Sequence, residues 1–459
     1  MLRLAGTTLV VGLGKSGLSA VRALKALGAT VAVTDSRVDP PGLPALREAF
    51  PDVPCQLGGF APEAFADAAR LLVSPGVAVA TPVIAAAAAR GVPVWGDIEL
   101  LARLTRAPVA AITGSNGKST VTTLLGAMAD RAGVRAAVGG NLGTPALELW
   151  LRDEAGSERG RAVQASLSPE LYVLELSSFQ LETTLGLNAR VATVLNISPD
   201  HMDRYPTLDD YIAAKRRVFH GDGVMVLNAD DPVVMAMAEP GRRVLRFTLG
   251  EPDESGFGLR RDGGETWLAR GRERWIAASA LRIGGDHNLA NALAALAMGH
   301  ALGLRREAML AALREFPGLA HRTTLVLERA GVRWFDDSKG TNVGATVAAV
   351  RGLPGSVVLI AGGEGKGQDF APLRAALTDK ARAVVLIGRD APLIAAALGD
   401  SVPVHPAIDM SQAVARAAQL AQPGDSVLLS PACASFDMFS GYEERGAVFA
   451  AAVRRLSEC

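Results

Sequence analysis

Apolar residues follow two rhythms along this chain. Short unbroken runs such as "TTLVVGLG", "APVAAITG", "LYVLELSS", "VATVLNIS" and "VVLIAGG" have the length and β-branched content of strands covered on both faces. Between them lie stretches such as "SGLSAVRALKALG" and "KSTVTTLLGAMADRAG", whose apolar residues recur at helical spacing. The alternation predicts an α/β chain built on parallel sheets. Three successive segments are expected, at 1–97, 98–317 and 318–459, in keeping with a length of 459 residues.

In the first segment "TVAVTD" completes a strand–helix–strand unit, and in the second "GVMVLNADD" is a further strand. The polar stretches 152–169 and 250–275 read as a surface insertion and as a loop or hairpin region. In the third segment "AVVLIG" and "SVLLSPA" are strands between Ala-rich helices. No internal repeat marks a solenoid.

Composition narrows the function classes. Hydrophobic residues make up 49% and the formal net charge is zero, which argues against a disordered chain and against a basic nucleic-acid surface. The long apolar stretches carry glycines, charges or mostly alanine, so no membrane span is expected. The opening "MLRLAGTTLVVGLG" reads as a strand entering a glycine turn rather than a signal peptide. Cys55, Cys433 and Cys459 have neither disulfide nor zinc spacing, and the cytoplasm is the expected compartment. Of 47 basic residues only seven are lysines. A chain that meets its general need for positive charge with arginine keeps lysine for places that need a primary amine. Lys118, Lys339 and Lys366 all lie in glycine-rich or turn-like stretches.

Two loops carry phosphate chemistry. Gly12-x-Gly14-x-x-Gly17 lies between strand and helix, with Asp35 ending the next strand. That pattern seats a nucleotide diphosphate on a helix N-terminus with the acid on a ribose or base edge, and NAD is its commonest ligand. The second loop, Gly114-Ser115-Asn116-Gly117-Lys118-Ser119-Thr120, is a shortened phosphate loop, with Ile112 where a full Walker A motif has its first glycine. Lys118 would reach terminal phosphates, and Ser119 or Thr120 a magnesium ion. Glu175 ends one strand, and Asp200, His201 and Asp203 follow another. Strand carboxyl ends line the crevice of a parallel sheet, so these groups are expected beside the phosphate loop. Glu175 suits magnesium. Imidazole ordinarily favours softer metals, and by residue type alone a turn-capping role for His201 is equally open.

The segments "ITGSNGKST", "LELSSFQLE", "NISPDHMDRY", "GDHNLANALAAL", "GLAHR", "DDSKGTN" and "SPACASFDMF" occur in this order. Together they resemble the Mur ligases, over essentially the whole chain, and "ELSSFQLE" and "SPACASFDMF" favour the branch that adds D-glutamate. Siblings adding L-alanine, and folylpolyglutamate synthases, share the central part. The resemblance implies an N-terminal Rossmann-like UDP-binding domain, a central P-loop ATPase domain and a C-terminal dinucleotide-fold domain that brings the amino acid. It implies ATP-driven amide formation between UDP-N-acetylmuramoyl-L-alanine and D-glutamate through an acyl phosphate, a cytoplasmic step of peptidoglycan synthesis. A monomer is expected, with small-molecule substrates and neither nucleic-acid nor membrane partners.

The resemblance also replaces NAD by UDP at the first loop, with Gly14, Lys15, Ser16, Asp35, Ser36 and Arg37 around diphosphate and uracil. Asn141 would touch the muramoyl group. Gly114 to Thr120 would hold the ATP phosphates, Asn288 and Asn291 the adenine, and Arg322 and Asp337 the ribose and phosphates. Lys339, Thr341, Lys366, Ser435 and Tyr442 would receive the D-glutamate carboxylates. Two magnesium ions are implied, one on Ser119 and Glu175 and a second on His201. Lys118, His201, Lys215 and Lys339 are the implied catalytic side chains. Lys215 reads by itself as a solvated helix lysine, since Arg216 and Arg217 follow it; the resemblance implies instead a carbamylated lysine that ligates magnesium. The C-terminal domain is expected to swing. Glu364 and Tyr442 depart from the aspartate and phenylalanine frequent at those places in this branch.

Overall fold

The computed structural model describes residues 2, 4–155 and 168–456, so most of the polar stretch 152–169 lies outside the described residues. Strand β1 (Thr7–Val11) sits at the middle of a five-stranded parallel sheet, between β2 (Thr30–Asp35) and β4 (Ala68–Val73). β3 (Cys55–Leu57) and β5 (Val94–Trp95) form its edges. Helix α1 (Lys15–Ala26) leaves the glycine turn that follows β1. Because β1 is flanked on both sides by later strands, the sheet opens a crevice at its carboxyl end.

The same arrangement recurs in the second sheet. β6 (Val109–Thr113), buried along its whole length, lies between β8 (Leu171–Glu175) and β9 (Val191–Val194), with β7 (Ala136–Gly140) outside β8. Helix α2 (Lys118–Arg131) follows β6. β10 (Val224–Asn228) and β11 (Val244–Phe247) continue the parallel sheet. The region 250–275 contributes an antiparallel meander, β12 (Phe257–Asp262), β13 (Glu265–Arg270) and β14 (Glu273–Ala277). Helices α3 (Leu208–Arg216) and α4 (Asp286–Ala301) complete this part.

The third sheet runs β15-β16-β20-β17-β18-β19. An antiparallel hairpin, β15 (Thr324–Arg329) and β16 (Val332–Asp336), precedes the parallel strands β17 (Val357–Gly362), β18 (Ala381–Ile387), β19 (Val404–Pro406) and β20 (Ser426–Leu429). The hairpin does not follow from the apolar pattern. β15 is an edge strand with Leu325 half exposed, so its hydrophobic residues mark no buried face. Helix α5 (Val343–Gly352) follows β16, and α6 (Tyr442–Arg455) ends the domain.

The three parts are joined in two different ways. One apolar cluster runs from Val10, Leu24 and Leu72 of the first part to Trp150, Leu174 and Val194 of the second. The clusters of the third sheet, around Leu359 and around Val427, share no described residue with it. What binds the third part to the second at the phosphate loop is polar. Continuous apolar burial makes a rigid joint, whereas a few hydrogen bonds between separate cores make a joint that opens more readily.

Candidate active site

The phosphate loop takes its shape from two glycines in the left-handed region, Gly114 at φ 146° and Gly117 at φ 87°. A β-carbon on Gly117 would lie 2.3 Å from Asn291 Oδ1, so the loop fits against α4 only with glycine there. Lys118 Nζ donates back to the carbonyls of Gly114 (2.8 Å) and Ser115 (2.9 Å). Burial lowers its pKa, against the pull of Glu175 and Asp200. Ser115 Oγ donates to the Ser198 carbonyl and Asn196 Oδ1 accepts the Asn116 amide, which fixes the loop to the segment after β9.

Glu175 ends β8 beside this loop. Its Oε1 accepts Asn141 Nδ2 at 2.7 Å, while Oε2 is buried with no hydrogen-bond partner. An unpartnered carboxylate oxygen in such a place is costly without a cation or donor, so Glu175 fits a bound metal. Among the described residues no three His, Cys, Asp or Glu side chains gather to hold an ion by themselves. A single carboxylate such as Glu175 can serve magnesium, which takes one or two carboxylates and completes its shell with substrate phosphates and water.

His201 has φ 59°, a strained conformation for a non-glycine residue, and Asp200 Oδ1 accepts its backbone amide. Burial lowers its pKa to about 4 despite Asp200, so the ring is neutral at physiological pH. Asp203, expected with these two, is exposed on the turn that follows and lines neither of the two cavities at the site. Lys215 is buried, not solvated: Nζ donates to the Gly114 carbonyl at 2.9 Å and lies 4.6 Å from the Tyr211 ring centroid. Burial, then the neighbouring Lys118, pushes its pKa well down.

Two cavities meet here. One, of about 280 Å³, is lined by Asn116, Gly117, Thr120, Asn288, Asn291, Arg322 and Asp337. Burial raises the Asp337 pKa to about 7, although Ser430 and Thr323 donate to it. The other, of about 780 Å³, is lined by Gly14, Lys15, Ser16, Asp35, Ser36, Arg37 and Asn141 together with Ser119, Glu175 and Tyr442. Burial opposes ionisation of Asp35, but hydrogen bonds from Arg37 and from the Leu13 and Arg37 amides bring its pKa down to about 2. Lys339 lines both cavities, its Nζ 3.7 Å from the Tyr442 ring centroid. Burial lowers its pKa to about 8.

Thr341, Lys366 and Ser435 line neither cavity. Lys366 (φ 53°) instead pairs with Asp200 at 2.7 Å. Asn342, not singled out in the sequence, exchanges amide hydrogen bonds with Asn116 at 3.0 and 3.3 Å and donates to Asp200 at 3.3 Å. Arg322 Nη2 donates to Ser119 Oγ at 2.8 Å. These bonds hold the third sheet's loops against the phosphate loop. The one sequence signal for Asn342 was its place as a helix cap: it accepts the Ala345 amide at the start of α5.

Such a site, with a glycine loop, a shortened phosphate loop and one lysine of the third domain, Lys339, lining both cavities, fits a nucleotide-dependent ligase. Family models agree over nearly the whole chain: the "Mur ligase MurD-like, N-terminal domain" matches 6–96, the "Mur ligase middle domain" 112–299 and the "Mur ligase, glutamate ligase domain" 321–433. The chain belongs to the Mur ligase family, ATP-dependent enzymes that form amide bonds.

Within the family it is similar to proteins named UDP-N-acetylmuramoylalanine--D-glutamate ligase. That of Nitrosococcus oceani is 56% identical over 459 residues, covering 100% of this chain and 98% of the relative. That of Methylococcus capsulatus is 55% identical, covering 98% and 95%. Among solved structures, the UDP-N-acetylmuramate-alanine ligase MurC of Thermotoga maritima matches with TM-score 0.59 at 17% identity, covering 99% of this chain and 100% of that one. MurF of Acinetobacter baumannii matches with TM-score 0.60 at 17% identity, covering 97% and 90%. At that identity these two show the shared three-domain α/β fold.

Proposed function

We propose that the chain joins D-glutamate to UDP-N-acetylmuramoyl-L-alanine with ATP, as a monomer in the cytoplasm, in peptidoglycan synthesis. Its domains would divide near residues 97 and 317. The observation that carries this reading is Lys339, standing where the nucleotide-side cavity meets the cavity of the Gly12 loop. A phosphoryl group passing from ATP to a carboxylate must cross that junction.

The chemistry needs activation because a carboxylate repels nucleophiles and oxide is a poor leaving group. The muramoyl-L-alanine carboxylate attacks the γ-phosphorus, forming a P–O bond as the bond to ADP breaks. The amine of D-glutamate then attacks the acyl carbon, loses a proton, and phosphate departs. Phosphoryl transfer calls chiefly for positioning and charge neutralisation. The loop amides of Gly114 to Thr120 and the Lys118 ammonium supply both. Asn288 and Asn291 hold the adenine, Arg322 and Asp337 the ribose and phosphates. Gly14, Lys15 and Ser16 cradle the UDP diphosphate, with Asp35, Ser36 and Arg37 at the uracil and Asn141 at the muramoyl group. Lys339, Thr341, Lys366, Ser435 and Tyr442 take the D-glutamate carboxylates, which requires Lys366 to leave Asp200.

Two magnesium ions, one on Ser119 and Glu175 and one at His201, would neutralise the phosphate charge when bound. The neutral His201 ring and the orphaned Glu175 Oε2 suit that role. The burial that disfavours an ammonium at Lys215 leaves the neutral amine that carbon dioxide requires; adding it would release a proton and give a carbamate whose single negative charge, shared by two oxygens, a neighbouring magnesium would hold. The deciding experiment is an amino-acid screen on UDP-N-acetylmuramoyl-L-alanine with ATP and magnesium, reading phosphate release. D-glutamate should be preferred. Equal turnover with L-alanine, or with a folate acceptor, would overturn the reading.

A further inference from the structure

Arg204, in "PDHMDRY", has no part in the chemistry described above, yet its contacts tie the two halves of the site together. The loop after β4 forms one wall of the larger cavity through Ser74, Pro75, Gly76 and Val77. That loop bears directly on the glycine turn. Ser74 Oγ donates to the Gly12 carbonyl at 2.7 Å, and a β-carbon on Gly12 would meet Ser74 Cβ and Val77 Cγ2 at 3.0 Å. From the other domain Arg204 reaches the same loop, donating to the carbonyls of Pro75 (3.5 Å) and Val77 (3.3 Å).

The guanidinium is aimed from two sides. Glu182 Oε2 accepts Nη2 at 2.7 Å, and the Arg204 carbon lies 4.6 Å from the Phe179 ring centroid. Glu182 is itself fixed by the Tyr205 hydroxyl, which donates to Oε1 at 2.6 Å. The far side of this arrangement is His201, whose ring centroid is 4.7 Å from that of Phe179. A path thus leads from the Gly12 turn through the Ser74–Val77 loop, Arg204 and Phe179 to His201.

We propose that Arg204 is a positioning residue for the ligase reaction: it clamps the wall of the UDP-side cavity and couples that wall, through Phe179, to the setting of His201. A planar guanidinium can reach two carbonyls and a carboxylate while stacking on a ring, which an ammonium cannot do at once. A double-mutant cycle tests the coupling. The inference rests on the ligase reading, and wild-type enzyme in the same assay separates the two: no D-glutamate-dependent ADP formation from wild type would sink that reading instead.

Arg204→Met should raise KM for UDP-N-acetylmuramoyl-L-alanine about tenfold while KM for ATP and D-glutamate stay within about twofold, since charged hydrogen bonds to one wall are lost. Arg204→Lys should restore only part of that loss. Through that coupling Arg204→Met should also lower kcat; Phe179→Leu should lower kcat without moving that KM, and the double variant's kcat should fall by less than the product of the two single kcat effects. If Arg204→Met fails to fold, Glu182→Gln, which keeps the arginine but loosens its aim, should raise the same KM in the same selective way. An unchanged KM for the UDP substrate, an equal rise in all three KM values, or multiplicative kcat effects would each overturn the proposal.

Discussion

Gly117→Ala tests whether the phosphate loop and the base of α4 are one mechanical unit. The backbone at Gly117 has φ 87°, where an L side chain costs about 1–2 kcal/mol. The new methyl would also sit 2.3 Å from Asn291 Oδ1 and 3.3 Å from Leu195 Cδ1. To reach ordinary contact the amide must retreat by about 1 Å. Asn291 is 8% exposed, in the first turns of α4 beside Asn288, so the retreat reshapes the smaller cavity where the adenine is proposed to bind. Gly133→Ala is the matched control, since its φ of 80° is nearly the same and a methyl there meets nothing within 4 Å. Denaturant titration should show both variants weakened by about 1–2 kcal/mol through backbone strain. Steady-state kinetics should separate them: KM for ATP rises about tenfold or more in Gly117→Ala, equivalent to one lost polar contact, and stays near wild type in Gly133→Ala. Equal ATP KM values in the two variants would refute the argument that Asn291 carries the effect.

Glu175→Gln removes the orphaned carboxylate charge while keeping the shape, and turnover should fall by about two orders of magnitude or more with a melting temperature no lower than the wild type's; near-normal activity at low magnesium would dismiss the metal role. Lys215→Ala should be nearly inactive and partly rescued by short-chain carboxylates, with carbon-13 NMR in labelled bicarbonate showing a carbamate only in the wild type; full activity of the variant would end that idea. Asp337 has a folded pKa raised above its unfolded value, so its contribution to stability is complete below about 4 and is lost as pH rises through about 7. The stability difference between wild type and Asp337→Asn should therefore shift in favour of the wild type between pH 7.5 and pH 5, and a difference independent of pH would contradict it.

Strand–loop–helix units were legible in the sequence because their signals are local. The Gly12 and Gly114 loops, and Glu175 at a strand end, needed only the rule that parallel sheets bind ligands at their carboxyl ends. The burial of Lys215 was not legible from its own neighbourhood, where Arg216 and Arg217 suggest a solvated face. Its partner Gly114 is 101 residues away. The bonds that hold the third domain are similarly remote, with Lys366 and Asp200 separated by 166 residues and Asn116 and Asn342 by 226. Arg445 shows the same limit. It reads as a charged residue on a C-terminal helix, yet it is fully buried and donates to Ser338 Oγ and to the Ser338, Cys433 and Ala434 carbonyls. It thereby ties together the loops that carry Lys339 and Ser435, through partners up to 107 residues away.

The scarcity of lysine has a practical side. The seven are Lys15, Lys25, Lys118, Lys215, Lys339, Lys366 and Lys380, and five of them stand in the cavities or around the phosphate loop. Arginine carries the rest of the positive charge and is inert to amine-selective acylating reagents. For such reagents most of the molecular surface is blank. Lys118 and Lys215 are shielded by their carbonyl partners, and Lys366 is held by Asp200. Lys339, with a pKa of about 8, offers far more free amine at neutral pH than an ordinary surface lysine. A mild acylating probe therefore becomes a reporter of the junction between the two cavities, with ligands that fill either cavity protecting Lys339 from labelling.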